Sequence, residues 1–255
     1  MITLKSAREI TLMREAGKIV GEVLAVLSEK AKVGVTTREL DEIAEATIRR
    51  HKAIPAFKGY GGARNRPAFP ATICASINDE VVHGIPGPRI LKDGDIISID
   101  VGAERNGYFG DAARTLPVGR ISPDAARLLR VCRESLDRAI ETVKPGIRLA
   151  DVSRTIQLFV ESNDYSVVRK FVGHGIGSEM HEDPQIPNYV SSEFPELVLK
   201  PGMTLAIEPM VNQGTHRVHT EPNGWTVVTE DGKLSAHFEH TVAVTREGAE
   251  VLTLP

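Results

Sequence analysis

Five residues in this chain have the types and spacing of a metal centre. Asp100 closes the run Asp95-Ile96-Ile97-Ser98-Ile99-Asp100, and Asp111 follows in Tyr108-Phe109-Gly110-Asp111. Glu208 closes Thr204-Leu205-Ala206-Ile207-Glu208, Glu239 sits in Ala236-His237-Phe238-Glu239-His240, and His174 stands in Gly173-His174-Gly175-Ile176-Gly177. Carboxylates at the ends of apolar, strand-like runs are costly to bury without partners. Four of them converging would repel unless protons or cations compensate. Two divalent ions would balance four carboxylates and a neutral imidazole. An oxygen-rich set with one imidazole suits Mn²⁺, Fe²⁺, Co²⁺ or Zn²⁺, and two such ions about 3.5–4 Å apart would share bridging carboxylates. The glycine bracket around His174 is not a phosphate loop, because the GxxxxGK-S/T spacing is absent and no lysine follows.

Each acid has a plainer reading beside the chemical one. Asp100 and Asp111 are joined through Gly102, Asn106 and Gly107, which suits two antiparallel strands around a turn with both carboxylates on one face. The plainer reading makes one a turn residue and the other an edge residue. Pro209 stops strand pairing just after Glu208. Alternation along 236–241 puts Glu239 on a polar face with His237 and Thr241, where the competing reading is solvent exposure. His83 and His181 each precede a proline by three residues, in His83-Gly84-Ile85-Pro86 and His181-Glu182-Asp183-Pro184. A single loop histidine is usually surface decoration, but a matched pair beside a metal site suits hydrogen-bond donors or proton shuttles.

These residues need elements to hold them. Ser6-Ala7-Arg8-Glu9 reads as a capping box, opening a helix through Ile10, Met13, Ala16, Val20, Val23, Leu24 and Leu27. Thr36-Thr37-Arg38-Glu39 opens a second through Leu40, Ile43, Ala44, Thr47 and Ile48. Ser122-Pro123 is an N-cap followed by proline, opening a third through Leu128, Leu129, Cys132, Leu136 and Ile140; a fourth fits 149–162. Residues 54–78 read as largely irregular. Strands are expected near 71–77, 96–101, 107–116, 167–172, 203–211, 225–229, 234–244 and 250–253, with Glu230-Asp231-Gly232 as a hairpin turn.

The chain also repeats itself. Lys92-Asp93-Gly94-Asp95 leads to Asp100 as Lys200-Pro201-Gly202-Met203 leads to Glu208, each acid lying eight residues after its lysine. Gly34 and Gly146 each precede a helix opening with an acidic–aliphatic pair, Glu39-Leu40 and Asp151-Val152, and His83 is echoed by His181. Three echoes in one order point to duplication, with halves of roughly 1–118 and 119–255 fused into a single α+β domain. A site at their junction would receive Asp100 from one half and Glu208 from the other.

Composition narrows the partners. At 255 residues, 41% apolar and 25% charged, the chain is an ordinary globular one. A formal charge of −3 gives no case for nucleic acid, and Arg49, Arg50, Lys52, Arg64 and Arg66 read as a solvated surface. Charges interrupt every apolar stretch before residue 19, so no signal peptide is expected, and no run reaches the roughly 18 apolar residues of a spanning helix. Cys74 and Cys132 form no disulfide framework or CxxC pair, so a reduced cytoplasmic setting is expected, with a single bridge between them left open.

The segments Ser76–Pro86, Gly94–Gly102, Gly173–Gly177, His181–Pro184, Ala206–Met210 and Phe238–Thr241 resemble, in order and over nearly the whole chain, the bacterial form of type I methionine aminopeptidase. That resemblance implies the pita-bread (creatinase/aminopeptidase) fold, two pseudo-symmetric α+β halves with antiparallel strands and outer helices around two divalent ions. It implies Asp100, Asp111, His174, Glu208 and Glu239 as ligands, with Asp111 and Glu239 bridging. Glu208 would also act as general base and acid, and His83 and His181 would contact substrate. Tyr60, Cys74 and Trp225 match positions of the methionine pocket; Met180 falls where an aromatic often sits. The implied activity is removal of initiator methionine from nascent polypeptides, favouring a small second residue. The implied actor is a cytoplasmic monomer near the ribosome exit tunnel, without nucleic-acid specificity or a membrane. The segment 63–70 is longer than the family's usual link, and Phe69 is a candidate replacement for a pocket aromatic. Prolidase and aminopeptidase P share the fold and ligands, but carry an extra N-terminal domain for which residues 1–90 leave no room. A non-catalytic binding protein on this fold would be expected to lack ligands.

Overall fold

The computed structural model describes residues 2–62 and 67–255. Its helices are α1 (Ala7–Lys30), α2 (Thr37–Arg50), α3 (Pro123–Thr142) and α4 (Leu149–Glu161). Ser6 and Thr36 close full capping boxes with Glu9 and Glu39, satisfying backbone N–H groups that a helix start leaves open. Ser122 caps α3 through the Ala125 N–H. The N-cap residue of α4, Arg148, makes no side-chain cap bond.

Two antiparallel sheets meet in the middle of the molecule. The first contains Ile54–Pro55, Ile73–Ile77, Ile96–Arg105 and Tyr108–Pro117. The second orders Ala249–Val251, His240–Val244, Thr204–Ile207, Gly173–Gly175 and Glu182–Ile186. At the seam between them the Glu239 N–H donates to the Ala113 carbonyl at 2.9 Å. One layer further out, α1 and α2 cover the first sheet with Val20, Val23, Leu24, Leu27, Leu40 and Ile48 fully or nearly fully buried. Helices α3 and α4 bury Leu128, Leu136, Val152 and Ile156 on the other side. Each such side chain contributes about 1.5–3 kcal/mol by leaving water. A third cluster, including Met13, Phe57, Phe69, Cys74, Met180 and Trp225, lies between these two and draws on both sheets.

The internal echo has a hydrogen-bond counterpart. Gly34 N–H donates to the Leu91 carbonyl at 2.9 Å and Leu91 N–H to Val35 at 2.8 Å; Gly146 does the same with Leu199, and Leu199 with Ile147, at 2.9 and 2.8 Å. Gly34 and Gly146 sit at φ +91° and +87°, and Gly94 and Gly202 at +94° and +93°, a region where a side chain would be strained.

Several strand expectations need correction. The expected strand 203–211 is two strands, Thr204–Ile207 and Met210–Asn212, which join different sheets because Pro209 has no N–H to continue the ladder. Likewise 234–244 divides into Ser235–His237 and His240–Val244 at Phe238-Glu239. The turn at Glu230-Asp231-Gly232 exists, with Gly232 at φ +68°, but its flanks do not form a hairpin. Val227–Thr229 pairs with Val218–Thr220 and Glu80–Val82, whereas Ser235–His237 pairs with Met210–Asn212. The strand expected at 167–172 is only Ser166–Val167, and the strand Ile54–Pro55 lies inside the stretch read as irregular. Cys74 and Cys132 are both buried and unbridged.

Candidate metal centre and substrate pocket

Strand register sets the first two acids. Gly102 lies opposite Asp111, and the two-residue period of a strand puts Asp100 on the same face as Gly102. Asp100 and Asp111 are therefore diagonal neighbours over one surface. His174 pairs with Ala206, and Ala206 with Thr241. Thr241 Oγ1 accepts from the Asp111 N–H at 3.0 Å and donates to the Asp111 carbonyl at 2.8 Å. His174 and Asp111 are thus the two ends of one row crossing the seam. Glu208 and Glu239 stand one residue outside Thr204–Ile207 and His240–Val244, at the strand breaks.

The glycine bracket allows close approach. A Cβ at Gly173 would lie 2.3 Å from the Ala206 carbonyl oxygen, and one at Gly175 would lie 2.1 Å from that of Asp183. With this one strand tight against both of its neighbours, the His174 ring projects toward the acids. His174 Nδ1 lies 2.9 Å from the Gly175 carbonyl; a carbonyl only accepts, so Nδ1 carries the proton and Nε2 offers a lone pair. Nε2 is 3.7 Å from Asp111 Oδ2 and 3.7 Å from Glu208 Oε1. Donor atoms of Asp111, His174 and Glu239 all lie within 4.8 Å of one another.

The electrostatics reproduce the charge problem posed by the sequence. Burial pushes the Asp111 carboxyl up to about 8. Burial, then repulsion from the neighbouring acids, pushes Asp100, Glu208 and Glu239 well above the usual carboxylate range. Burial also holds His174 down to about 4, hence neutral near pH 7. Asp100 Oδ1, Asp111 Oδ1 and Glu239 Oε1 are buried with no hydrogen-bond partner among the described residues. Orphaned buried carboxylate oxygens around a neutral imidazole lone pair are a donor set fitted to divalent cations.

Above the acids lies a cavity of about 210 Å³ lined by both chemistries. Its acidic floor is the four carboxylates with His174; its wall includes Phe57, Tyr60, Phe69, Cys74 and Trp225, with His83 and His181 beside them. Phe69 meets Trp225 edge-on at 5.2 Å, and Trp225 Nε1 donates to the Pro67 carbonyl at 2.9 Å. Cys74 is opposite Asp100 in the ladder, and burial raises its thiol well above the ordinary range, so it stays a thiol. Tyr60 Oη is 2.6 Å from His181 Nδ1, and the His181 ring lies 4.1 Å from that of His174. Met180 backs the same cluster without lining the cavity.

The five expected ligands, the two expected substrate histidines and Tyr60, Cys74 and Trp225 all line this one cavity, whereas Met180 does not. Of the segment 63–70, residues 63–66 lie outside the described residues, and Phe69 is on the pocket wall. Sequence reasoning missed Phe57, Asn188 and the contact made by His237. Asn188 is fully buried and its Nδ2 donates to the Glu208 carbonyl at 3.0 Å; nothing in Ile186-Pro187-Asn188 signals this. His237 had a signal in the alternation of 236–241, but the face it shares with Glu239 and Thr241 is buried, not solvent-exposed.

The family model "Metallopeptidase family M24" matches residues 11–246. A methionine aminopeptidase of Clostridium acetobutylicum is 56% identical over 256 residues, covering 100% of this chain and 99% of that protein. Methionine aminopeptidase 1 of Bacillus subtilis is 54% identical, covering 99% of each. Among solved structures, a methionine aminopeptidase from Thermotoga maritima superposes with a TM-score of 0.95 at 47% identity over 100% of both chains. A prolidase from Pyrococcus horikoshii, 23% identical, matches 98% of this chain but 63% of its own at a TM-score of 0.77, a likeness of fold alone. The α+β arrangement is the pita-bread fold that these neighbours share.

Proposed function

The chain belongs to metallopeptidase family M24, and from that premise we propose that it is a methionyl aminopeptidase. It removes initiator methionine from the N-termini of nascent polypeptides and favours a small second residue. One observation carries the reading: an apolar aromatic wall and a cation-competent acidic floor face each other across one small cavity. At about 210 Å³ it falls below the roughly 300–1,000 Å³ of sites for drug-sized ligands. It therefore suits a single side chain, and the polarisable thiol of Cys74 and the Trp225 ring suit a thioether.

In this reading Asp100, Asp111, His174, Glu208 and Glu239 would hold two divalent cations. When bound, the cations polarise the scissile carbonyl and lower the pKa of water. Glu208 takes the proton of the attacking water and returns it to the departing amine nitrogen. Tyr60 Oη, 2.6 Å from His181 Nδ1, donates to it, which leaves His181 with Nε2–H to stabilise the oxyanion. His83 faces the scissile nitrogen. The acidic floor receives the free α-amine, so an N-acetylated substrate is refused. The chain acts as one catalytic domain and a monomer, in the cytoplasm where new N-termini emerge from the ribosome. No helix of the described residues is long and apolar enough to cross a membrane.

The test offers metal-loaded protein Met-Ala-Ser, Ala-Pro-Ala and Met-Pro. Free methionine from the first alone is expected. Cleavage of either prolyl peptide would favour a prolidase-like enzyme, and no release with two metals bound would overturn both.

A further inference from the structure

We propose that His237 is a positioning residue for Glu208, donating from Nε2 to Oε2 and leaving Oε1 to face the cations. It rests on the reading of Glu208 as a ligand and proton carrier. The Glu208 carboxylate lies between two imidazoles. Oε1 is 3.7 Å from His174 Nε2, and Oε2 is 3.7 Å from His237 Nε2. The two rings are not equivalent. His174 has its proton on Nδ1, against the Gly175 carbonyl, so its Nε2 is an electron-pair donor.

His237 is 2% exposed, and its Nε2 has no hydrogen-bond partner among the described residues. A buried imidazole nitrogen left unpaired is costly, and the carboxyl oxygen facing it at 3.7 Å is Glu208 Oε2. Both backbones are fixed. His237 N–H donates to Thr115 Oγ1 at 2.8 Å, and Thr115 Oγ1 donates to the His237 carbonyl at 2.8 Å. The Glu208 carbonyl is held by Asn188. A small side-chain rotation that brings Oε2 within about 2.9 Å of His237 Nε2 would complete a hydrogen bond and leave Oε1 on the side of His174. Fixing the second oxygen this way orients a ligand from behind, as outer partners do at metal sites.

The experiment titrates Co²⁺ into metal-free wild type, His237→Gln, His237→Met and Glu208→Gln by calorimetry. It also follows the visible Co²⁺ spectrum and the steady-state constants for Met-Ala-Ser. Glutamine keeps a donor at this position and is expected to bind both ions within about threefold of wild type. Methionine fills the space without a donor. It is expected to weaken one ion and lower kcat by about 10–100-fold each, with KM within about twofold.

Equal impairment of both His237 variants would mean that His237 only packs, and wild-type affinity in His237→Met would remove the role altogether. Unchanged affinity in Glu208→Gln would sink the ligand assignment itself, a separate failure. Should His237→Met not fold, ¹⁵N-histidine NMR of Zn²⁺-loaded wild type decides. A protonated Nε2 on His237 supports the proposal, and an unprotonated or metal-shifted Nε2 overturns it.

Discussion

The sequence up to Val118 and the sequence from Pro123 onward build their shares of the site differently. The first supplies Asp100 and Asp111 from two unbroken ten-residue strands, Ile96–Arg105 and Tyr108–Pro117. The second supplies Glu208 and Glu239 from strand breaks and His174 from a three-residue strand squeezed between glycines. Regular strands place a carboxylate by period and register alone. A break frees the backbone to turn a side chain across the seam, but something else must then hold it, here Asn188 and the Ala113 backbone. One share is positioned by the ladder and the other by specific clamps.

The largest effect should come from removing one proposed ligand acid from each share. Asp111→Asn and Glu239→Gln are each expected to lower kcat/KM by about a thousandfold and to reduce bound metal, measured by elemental analysis beside turnover. If only one collapses, the cations do not span the seam. In metal-free protein the sign reverses: each substitution removes a carboxyl that burial makes costly to ionise and so keeps protonated, so melting temperature should rise. The burial of these carboxyls gives a pH signature. Burial raises the folded Asp111 carboxyl from 3.8 to about 8, so the stability it contributes is present at low pH and lost as pH rises toward 8. The buried histidines, lowered from 6.5, act oppositely, but only below about 6.5. Between pH 6.5 and 8 the metal-free melting temperature should therefore fall, and added Mn²⁺ or Co²⁺ should cancel the fall. A metal-free protein equally stable across that window would argue against a buried, proton-holding acidic floor.

Next in size are the glycines that let each share close up. A methyl at Gly173 meets the backbone oxygen of Ala206 at 2.3 Å, whereas one at Gly102 meets side chains, Phe57 Cε1 at 2.8 Å and Met180 Cε at 3.0 Å. A ladder oxygen has little room to shift and a methionine end can move. Gly173→Ala is expected to cost about 3 kcal/mol and Gly102→Ala about 1 kcal/mol, by denaturant unfolding. Gly102→Ala should also raise KM for methionyl peptides by pushing Phe57 toward the pocket. Equal costs would mean that the clamped share is as compliant as the ladder share.

The same contrast decides what could be read in advance. Asp100 and Asp111 were legible because alternation and a glycine-containing turn carry register information. The capping boxes were legible because the two partners that satisfy the helix start are three residues apart. The breaks at Pro209 and at Phe238-Glu239 were not, since apolar runs on both sides read as continuous strands. Only the tertiary structure hands Met210–Asn212 and Ser235–His237 to a separate sheet. Glu208 was still found, because its acid recurs at the same offset from its turn as Asp100. Asn188 has no local pattern at all; its role exists only where Glu208 has left the ladder.

The smallest expected difference concerns helix starts, and it runs the same way. Thr36 and Arg148 occupy matching places: each is the N-cap residue of its helix, and each forms an isolated bridge, with Ile90 and Val198 respectively. Thr36 accepts from the Glu39 N–H at 3.2 Å, and its own N–H donates to Glu39 at 2.7 Å. Arg148 makes no cap bond and instead pairs with Asp151 at 3.1 Å, half-exposed. Thr36→Ala should cost about 1 kcal/mol. Arg148→Ala should cost at most about 0.5 kcal/mol, because an exposed ion pair is screened. Urea unfolding at low and at 0.5 M salt separates the two. The Thr36 loss should persist in salt and the Arg148 loss should vanish. A salt-resistant loss at Arg148 would mean that α4 is held at its start by more than charge, and that the share built on clamps extends its clamping to the helix beneath it.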